Sequence, residues 1–189
     1  EPLDTRFASG PMPPGEVVTL GRRIAEGLSA CHNRGVIHRD LSPDNVLLRG
    51  GTIEDPVIID FGIAKNTSAS EDGTVIGGQF AGKYTYAPPE QFQGHVDARS
   101  DLYALGVTLV AALRGRSPSF GTNDFQIVQN KQVPLDLSDI AEPLRSVLEG
   151  LTDPDPGRRP ASADAAVALF DRLEGMAGST AMATDDRTV

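Results

Sequence analysis

Asp40, Asn45 and Asp60 are side chains that can accept a proton or hold a divalent cation, and they stand close together on loop-like sequence beside short apolar runs. Asp40 and Asn45 belong to the stretch V-I-H-R-D-L-S-P-D-N at 36–45, and Asp60 opens a D-F-G triplet with Phe61 and Gly62. Oxygen donors of this kind suit phosphoryl transfer, where the protein does little covalent chemistry and mostly places the acceptor and neutralises phosphate charge with magnesium. His-Arg-Asp alone would be a weak signal. Its weight comes from order and spacing: Asn45 five residues after Asp40, D-F-G after a hairpin-like stretch, then P-P-E at 88–90.

In that order and spacing the four elements resemble the protein kinase family, with 38–45 similar to its catalytic loop and 60–62 to its magnesium-binding motif. The resemblance implies that Asp40 accepts or orients the proton of a substrate hydroxyl. Asn45 would hold one magnesium ion, and Asp60 the magnesium that bridges the phosphates. It further implies ATP with Mg2+ (or Mn2+) as cofactor and a protein bearing a Ser or Thr acceptor as partner. Leu47 would lie under the adenine, and His38 would stack with Phe61 in the core that aligns the site. Arg39 would clamp a phosphate bidentately, supplied by phosphorylation among Thr67, Ser68, Ser70 and Thr74 in the polar segment 63–81. Asp101, in D-L-Y-A-L-G, would accept backbone hydrogen bonds from the catalytic loop. Glu90 would pair with Arg159 of D-P-D-P-G-R-R-P.

Two positions depart from the family's pattern. Ser42 stands where the serine/threonine branch usually has Lys, and Gly82-Lys83 stands where it usually has Gly-Thr. The resemblance implies that positions 42 and 83 face each other across the cleft, so the pair looks exchanged. Pro43 and the run 86–91 are most similar to bacterial serine/threonine kinases. The resemblance covers roughly 16–174, all of it matching the larger, helical lobe. No Gly-rich phosphate loop or V-A-I-K type lysine precedes the catalytic loop. The implied fold is therefore mainly α with a small β-hairpin, a kinase-like C-lobe (an α+β kinase fold lacking its N-lobe), inactive alone. A non-catalytic kinase-like module that binds partners is the alternative, against which the joint retention of Asp40, Asn45 and Asp60 weighs. Small-molecule phosphotransferases of the aminoglycoside type share a catalytic Asp and Asn but lack the D-F-G to P-P-E segment.

The elements that must position these residues are legible in the hydrophobic periods. Val17, Leu20, Ile24, Leu28 and Cys31 recur at three- and four-residue steps, which predicts a helix stopped by Gly35 just before the catalytic loop. Apolar runs at 46–48 and 57–59 around Gly50-Gly51-Thr52 predict a hairpin with Asn45 at one end and Asp60 at the other. Residues 100–113 are apolar nearly all round, as a buried central helix must be, so Asp101 is a buried charge that needs partners. Three further helices are expected over 123–130, 140–150 and 162–173. Residues 1–15 read as a connector, 16–174 as the kinase-like lobe and 175–189 as a disordered tail. His32 and His95 read as exposed polar residues, and Cys31 as core packing.

At 189 residues the chain is long enough for one domain with a sizeable core. Its formal charge of -9 argues against non-specific binding to nucleic acid or an anionic membrane surface. A single cysteine permits no internal disulfide, which with no signal peptide points to a cytoplasmic setting, a setting that the cytoplasmic part of a membrane-anchored parent would share. The longest apolar run, 102–113, is too short to span a bilayer.

Overall fold

The computed structural model describes residues 1–7, 9–61 and 84–185, with side chains described as far as Met176. Its elements are α1 (Leu3–Phe7), α2 (Pro14–His32), β1 (Val46–Leu48), β2 (Pro56–Ile58), α3 (Ala98–Arg114), α4 (Asp124–Asn130), α5 (Leu144–Leu151) and α6 (Ala163–Asp185). The described residues are thus mostly helical with one two-stranded antiparallel sheet. No helix among the described residues is long and apolar enough to cross a membrane.

Helix α3 is the centre of the core. Every residue from Ser100 to Ala112 is buried, as its all-round apolar sequence requires. A capping box starts it: the Asp97 carboxylate accepts from the Arg99 amide, and the Ser100 hydroxyl accepts from the Asp97 amide. Against it pack α2 and α6, which meet at Gly21, where an added Cβ would come within 2.7 Å of Phe170 and 2.8 Å of Leu109. Helix α5 approaches α3 closely at Gly106, where a Cβ would lie 2.7 Å from the Thr152 methyl and 2.8 Å from the Leu151 Cβ.

The end of α2 shows how the chain is handed to the catalytic loop. Gly35 adopts φ +73°, its amide donates to His32 O and the Val36 amide donates to Cys31 O. This is a Schellman closure in which the left-handed residue must be Gly. The hairpin follows with Val46 opposite Ile58 and Leu47 opposite Val57, and the Ile59 amide continues the ladder to Asn45 O. Val46 and Leu48 are buried, and a Cβ at Gly27 would sit 3.1 Å from Ile58, so this face of the sheet packs toward α2. Leu47 and Val57 occupy the opposite face and are partly exposed.

Three segment boundaries differ from the sequence expectation. Residues 1–15 do not behave as a connector: Leu3 and Phe7, one helical turn apart, are buried, and so is Met12. Glu1 and Leu48 exchange backbone hydrogen bonds, and the Met12 amide donates to Ala112 O, which ties the segment to both sheet and α3. Helix α6 runs on to Asp185 rather than ending at 173. Helix α5 starts at Leu144 rather than 140, Pro143 preceding its first turn.

The close approach at Gly106 generates a prediction. Gly106→Ala should destabilise by ~1–3 kcal/mol, because Leu151 and Thr152 are held in a packed turn and cannot give way. Gly150→Ala, in α5 with nothing within 4 Å of its Cβ position, should instead stabilise by ~0.5–1 kcal/mol. Urea melts of the two variants that move in the same direction would refute the packing account.

Candidate active site

The loop from His38 to Asn45 is held from below by one buried carboxylate. Asp101, in the first turn of α3, accepts from the His38 amide at 2.8 Å through Oδ2 and from the Arg39 amide at 2.8 Å through Oδ1. A third donor is His32 Nε2, 2.7 Å from Asp101 Oδ2. His32 was expected to be an exposed polar residue; its side chain is only 10% exposed. The missed signal lay in the period, since His32 follows Leu28 by four residues on the inward face of α2. His32 Nδ1 is buried with no hydrogen-bond partner among the described residues. His95 is exposed, and Cys31 is half-buried, with burial pushing its thiol pKa up and Asp101 adding to the shift.

His38 is fully buried, with both ring nitrogens engaged. Nδ1 accepts from the Asp40 amide at 3.3 Å, so Nε2 carries the proton and donates to Ile59 O at 2.8 Å. Its ring lies 4.8 Å from that of Phe61. This joins the catalytic loop to the chain entering D-F-G. Asn45 reinforces the junction: Nδ2 donates to Asp40 O at 2.8 Å, leaving Oδ1 as the atom that could take a cation. The Ser42 hydroxyl donates to the same Asp40 carbonyl at 3.4 Å. Arg39 and Asp60 both have positive φ, +69° and +55°, a conformation that costs a non-glycine residue about 1–3 kcal/mol and clusters at functional sites.

The structure therefore brings His38, Asp40, Ser42, Asn45, Asp60, Phe61 and Asp101 to one end of the hairpin, with Leu47 on its open face. Gly62, Lys83 and the hydroxyls Thr67, Ser68, Ser70 and Thr74 lie outside the described residues. Among the described residues no cluster of three His, Cys, Asp or Glu could hold a metal. An Asn–Asp pair completed by phosphate oxygens is instead the hard-oxygen donor set that suits magnesium.

Residues 84–93 form the other wall. Arg39, Asp40, Leu41, Tyr84, Tyr86 and Pro88 are among the residues lining a recess of about 70 Å³. Glu90 meets Arg159 as a bidentate pair, 2.6 Å to Nη1 and 2.8 Å to Nη2, with the Arg159 side chain 0% exposed. The remaining guanidinium N–H groups donate to Asp153 O, Arg99 O and Pro154 O, so all five donors are used. Burial alone would raise the Glu90 pKa, but hydrogen bonds from Arg159 and Ser100 outweigh it and the net shift is downward.

Lys131 is a second buried cation, and sequence reading passed over it. Its ammonium donates to Thr85 O at 2.7 Å and lies 3.9 Å from the centroid of the Phe120 ring and 4.9 Å from that of Tyr103. Burial pushes its pKa down to about 7, with the Arg159 charge adding to the shift and Glu90 opposing it. Its position four residues after the buried Ile127 was the available clue.

The chain matches the protein kinase domain model over residues 3–170 and belongs to that family. Its relatives include the serine/threonine-protein kinase pkn2 of Myxococcus xanthus, 38% identical over 179 residues, covering 86% of this chain and 21% of that protein. The serine/threonine-protein kinase PkaA of Streptomyces coelicolor is 33% identical over 173 residues, 89% of this chain and 31% of that protein. PknD of Mycobacterium tuberculosis, also a serine/threonine-protein kinase, is 40% identical over 110 residues, 58% of this chain and 16% of that protein. The chain thus spans between 16% and 31% of the length of these relatives.

Truncating Arg159 strands the Glu90 carboxylate. Arg159→Ala should cost about 3–5 kcal/mol in thermal or urea melts at neutral pH, and a loss within error of zero would show the pair to be solvated. Glu90, with its folded pKa lowered, stabilises fully above its unfolded value of 4.5. That contribution is lost as pH falls through the folded value, so the gap between the parent protein and Glu90→Gln should close in acid.

Proposed function

We propose that this chain is the helical lobe of a serine/threonine protein kinase that transfers the γ-phosphate of ATP to Ser or Thr hydroxyls of a protein substrate. The observation that carries the reading is the Asp40–Asn45 junction: the Asn45 amide hydrogen-bonds the Asp40 carbonyl while its backbone pairs with Ile59, beside Asp60. A proton acceptor for the substrate hydroxyl and two oxygen donors for Mg2+ (or Mn2+) therefore meet at one edge.

In this reading Asp40 orients the acceptor hydroxyl and takes its proton, and Asn45 with Asp60 holds the metal. Magnesium supplies neutralisation of the phosphate charge when bound. Leu47 and Val57, on the open face of the sheet, offer an apolar floor for adenine. Arg39 is held for a phosphate on the segment that begins after Gly62. The alternation of the sheet supports a second lobe packing over that open face, supplied by the parent chain.

The chain alone should transfer no phosphate, because the adenine roof and the phosphate-binding lysine belong to that second lobe. Labelled ATP, magnesium and a generic Ser/Thr peptide test this, and turnover comparable to a two-lobed kinase would refute it. In the two-lobed parent, Asp40→Asn should lower kcat by about 10²–10⁴-fold. A parent that binds ATP yet turns over no peptide, with or without Asp40, would favour the non-catalytic binding module.

Ser42 and Lys83 carry the exchanged-pair proposal, in which the Lys83 ammonium serves the γ-phosphate in place of the lysine that the family usually has where this chain has Ser42. The support is the Ser42 hydroxyl itself, buried and donating to Asp40 O. In the parent, Lys83→Ala should reduce kcat on the order of 10²-fold. Ser42→Lys combined with Lys83→Thr should recover much of that loss. A kinetically silent Lys83→Ala would end the idea.

A further inference from the structure

Tyr103 of α3 lies between two buried cations. The Arg159 guanidinium carbon stands 4.8 Å from the centroid of its ring and the Lys131 ammonium 4.9 Å from it. Arg159 holds Glu90, and Lys131 holds the carbonyl of Thr85. The strip between those two anchors supplies Tyr86, Ala87 and Pro88 to the recess that Asp40 also lines.

We infer that Lys131 is a positioning residue for the acceptor: by clamping Thr85 O it sets where the wall 85–88 stands relative to Asp40, and so how a Ser/Thr peptide is held. The inference rests on the kinase reading above. Three observations carry it. Lys131 is 0% exposed, so its ammonium has no bulk water to satisfy it. Among the described residues no carboxylate contacts it; its partners there are Thr85 O, the Tyr103 hydroxyl at 3.4 Å and two ring faces, which makes the main-chain carbonyl its strongest acceptor. And an uncompensated buried ammonium is costly, so a methionine-sized apolar residue would fill the site more cheaply if packing alone were its purpose.

The charged and titratable groups that act on Lys131 are Arg159, Glu90 and Tyr103, whose own hydroxyl pKa is raised by burial. Arg159 and Glu90 are paired with each other. The ammonium is therefore the member of the cluster that changes charge as pH rises through about 7, and the clamp on Thr85 O weakens when it does.

The test uses the two-lobed parent with Lys131→Met and Lys131→Arg. Lys131→Met should raise the KM for a Ser/Thr peptide on the order of 10-fold, the loss of one charge-assisted hydrogen bond, with the KM for ATP unchanged. Lys131→Arg keeps a permanent cation and should restore the low peptide KM. The parent's peptide KM should rise as pH passes upward through about 7, and that rise should be absent in the arginine variant. The Thr85 carbonyl ¹³C resonance reports the clamp independently of activity: it should titrate in the parent and lose its pH dependence in both variants. A peptide KM unmoved by Lys131→Met, or a Thr85 resonance that does not titrate, overturns the inference while leaving the kinase reading intact. A parent that phosphorylates no peptide while the resonance still titrates overturns the kinase reading, and the positioning role falls with it. If Lys131→Met does not fold, Lys131→Arg and the resonance decide the matter.

Discussion

A carboxylate at the start of a central helix, sealed from water, must find donors, and Asp101 finds them in the two segments that need to be held. Its 1% exposure leaves no water to share the charge. The N-terminal end of α3 contributes a favourable partial positive charge, worth up to about 2 kcal/mol in partly buried geometry, but the specific donors are the amides of His38 and Arg39 and the ring of His32. Removing the carboxylate would orphan two main-chain N–H groups and a histidine together. The catalytic loop is therefore fixed to the buried central helix α3, while α2 is fixed to the same carboxylate through His32. Position and stability come from one contact.

From that anchor the constraints run outward to the second wall. Ser100, which precedes Asp101, caps α3 and also donates to Glu90 at 2.9 Å. Glu90 takes the two forks of Arg159, and Arg159 lies on Tyr103, which also faces Lys131. The first turn of α3 thus organises both sides of the recess, one through Asp101 and the other through Ser100 and Tyr103. Buried ion pairs are weak evidence of net stability, because desolvation offsets much of their attraction. Five satisfied guanidinium donors with fixed acceptors specify geometry instead: the strip from 85 to 90 has one place to lie.

Much of the site was legible because family motifs and hydrophobic periods agree. The α2 period, the Gly35 stop and the hairpin bounded by Asn45 and Asp60 all correspond to observed elements, and Asp101 was identifiable as a charge in an apolar run. The failures have physical causes. The segment at 1–15 has too few residues to show a period, and its burial depends on contacts with β1 and α3 that only the folded chain supplies. His32 and Lys131 were missed because polar residues on an inward helical face look like exposed ones until their partners, Asp101 and Thr85 O, are placed. A main-chain carbonyl leaves no trace in sequence, so a lysine that serves one cannot be paired by reading residue types.

The two left-handed residues show how these contacts act on the chemistry. Arg39 and Asp60 flank Asp40 and the hairpin, and neither is a glycine that would take positive φ freely. Arg39 is held at both its peptide groups: its amide donates to Asp101 Oδ1, and its carbonyl accepts from Gln91 Nε2 at 3.1 Å. One of these partners belongs to α3 and the other to the 84–93 wall, so the strained turn that aims Asp40 requires both. At Asp60 the preceding carbonyl is fixed by His38 Nε2 and the preceding amide by Asn45 O. Strain of this kind persists only where the surroundings over-determine it. Here the over-determining atoms come from α3, the catalytic loop and the wall together, so a displacement of the 84–93 strip would be felt at Asp40 through Gln91 and Arg39 without any change in the catalytic loop's own sequence.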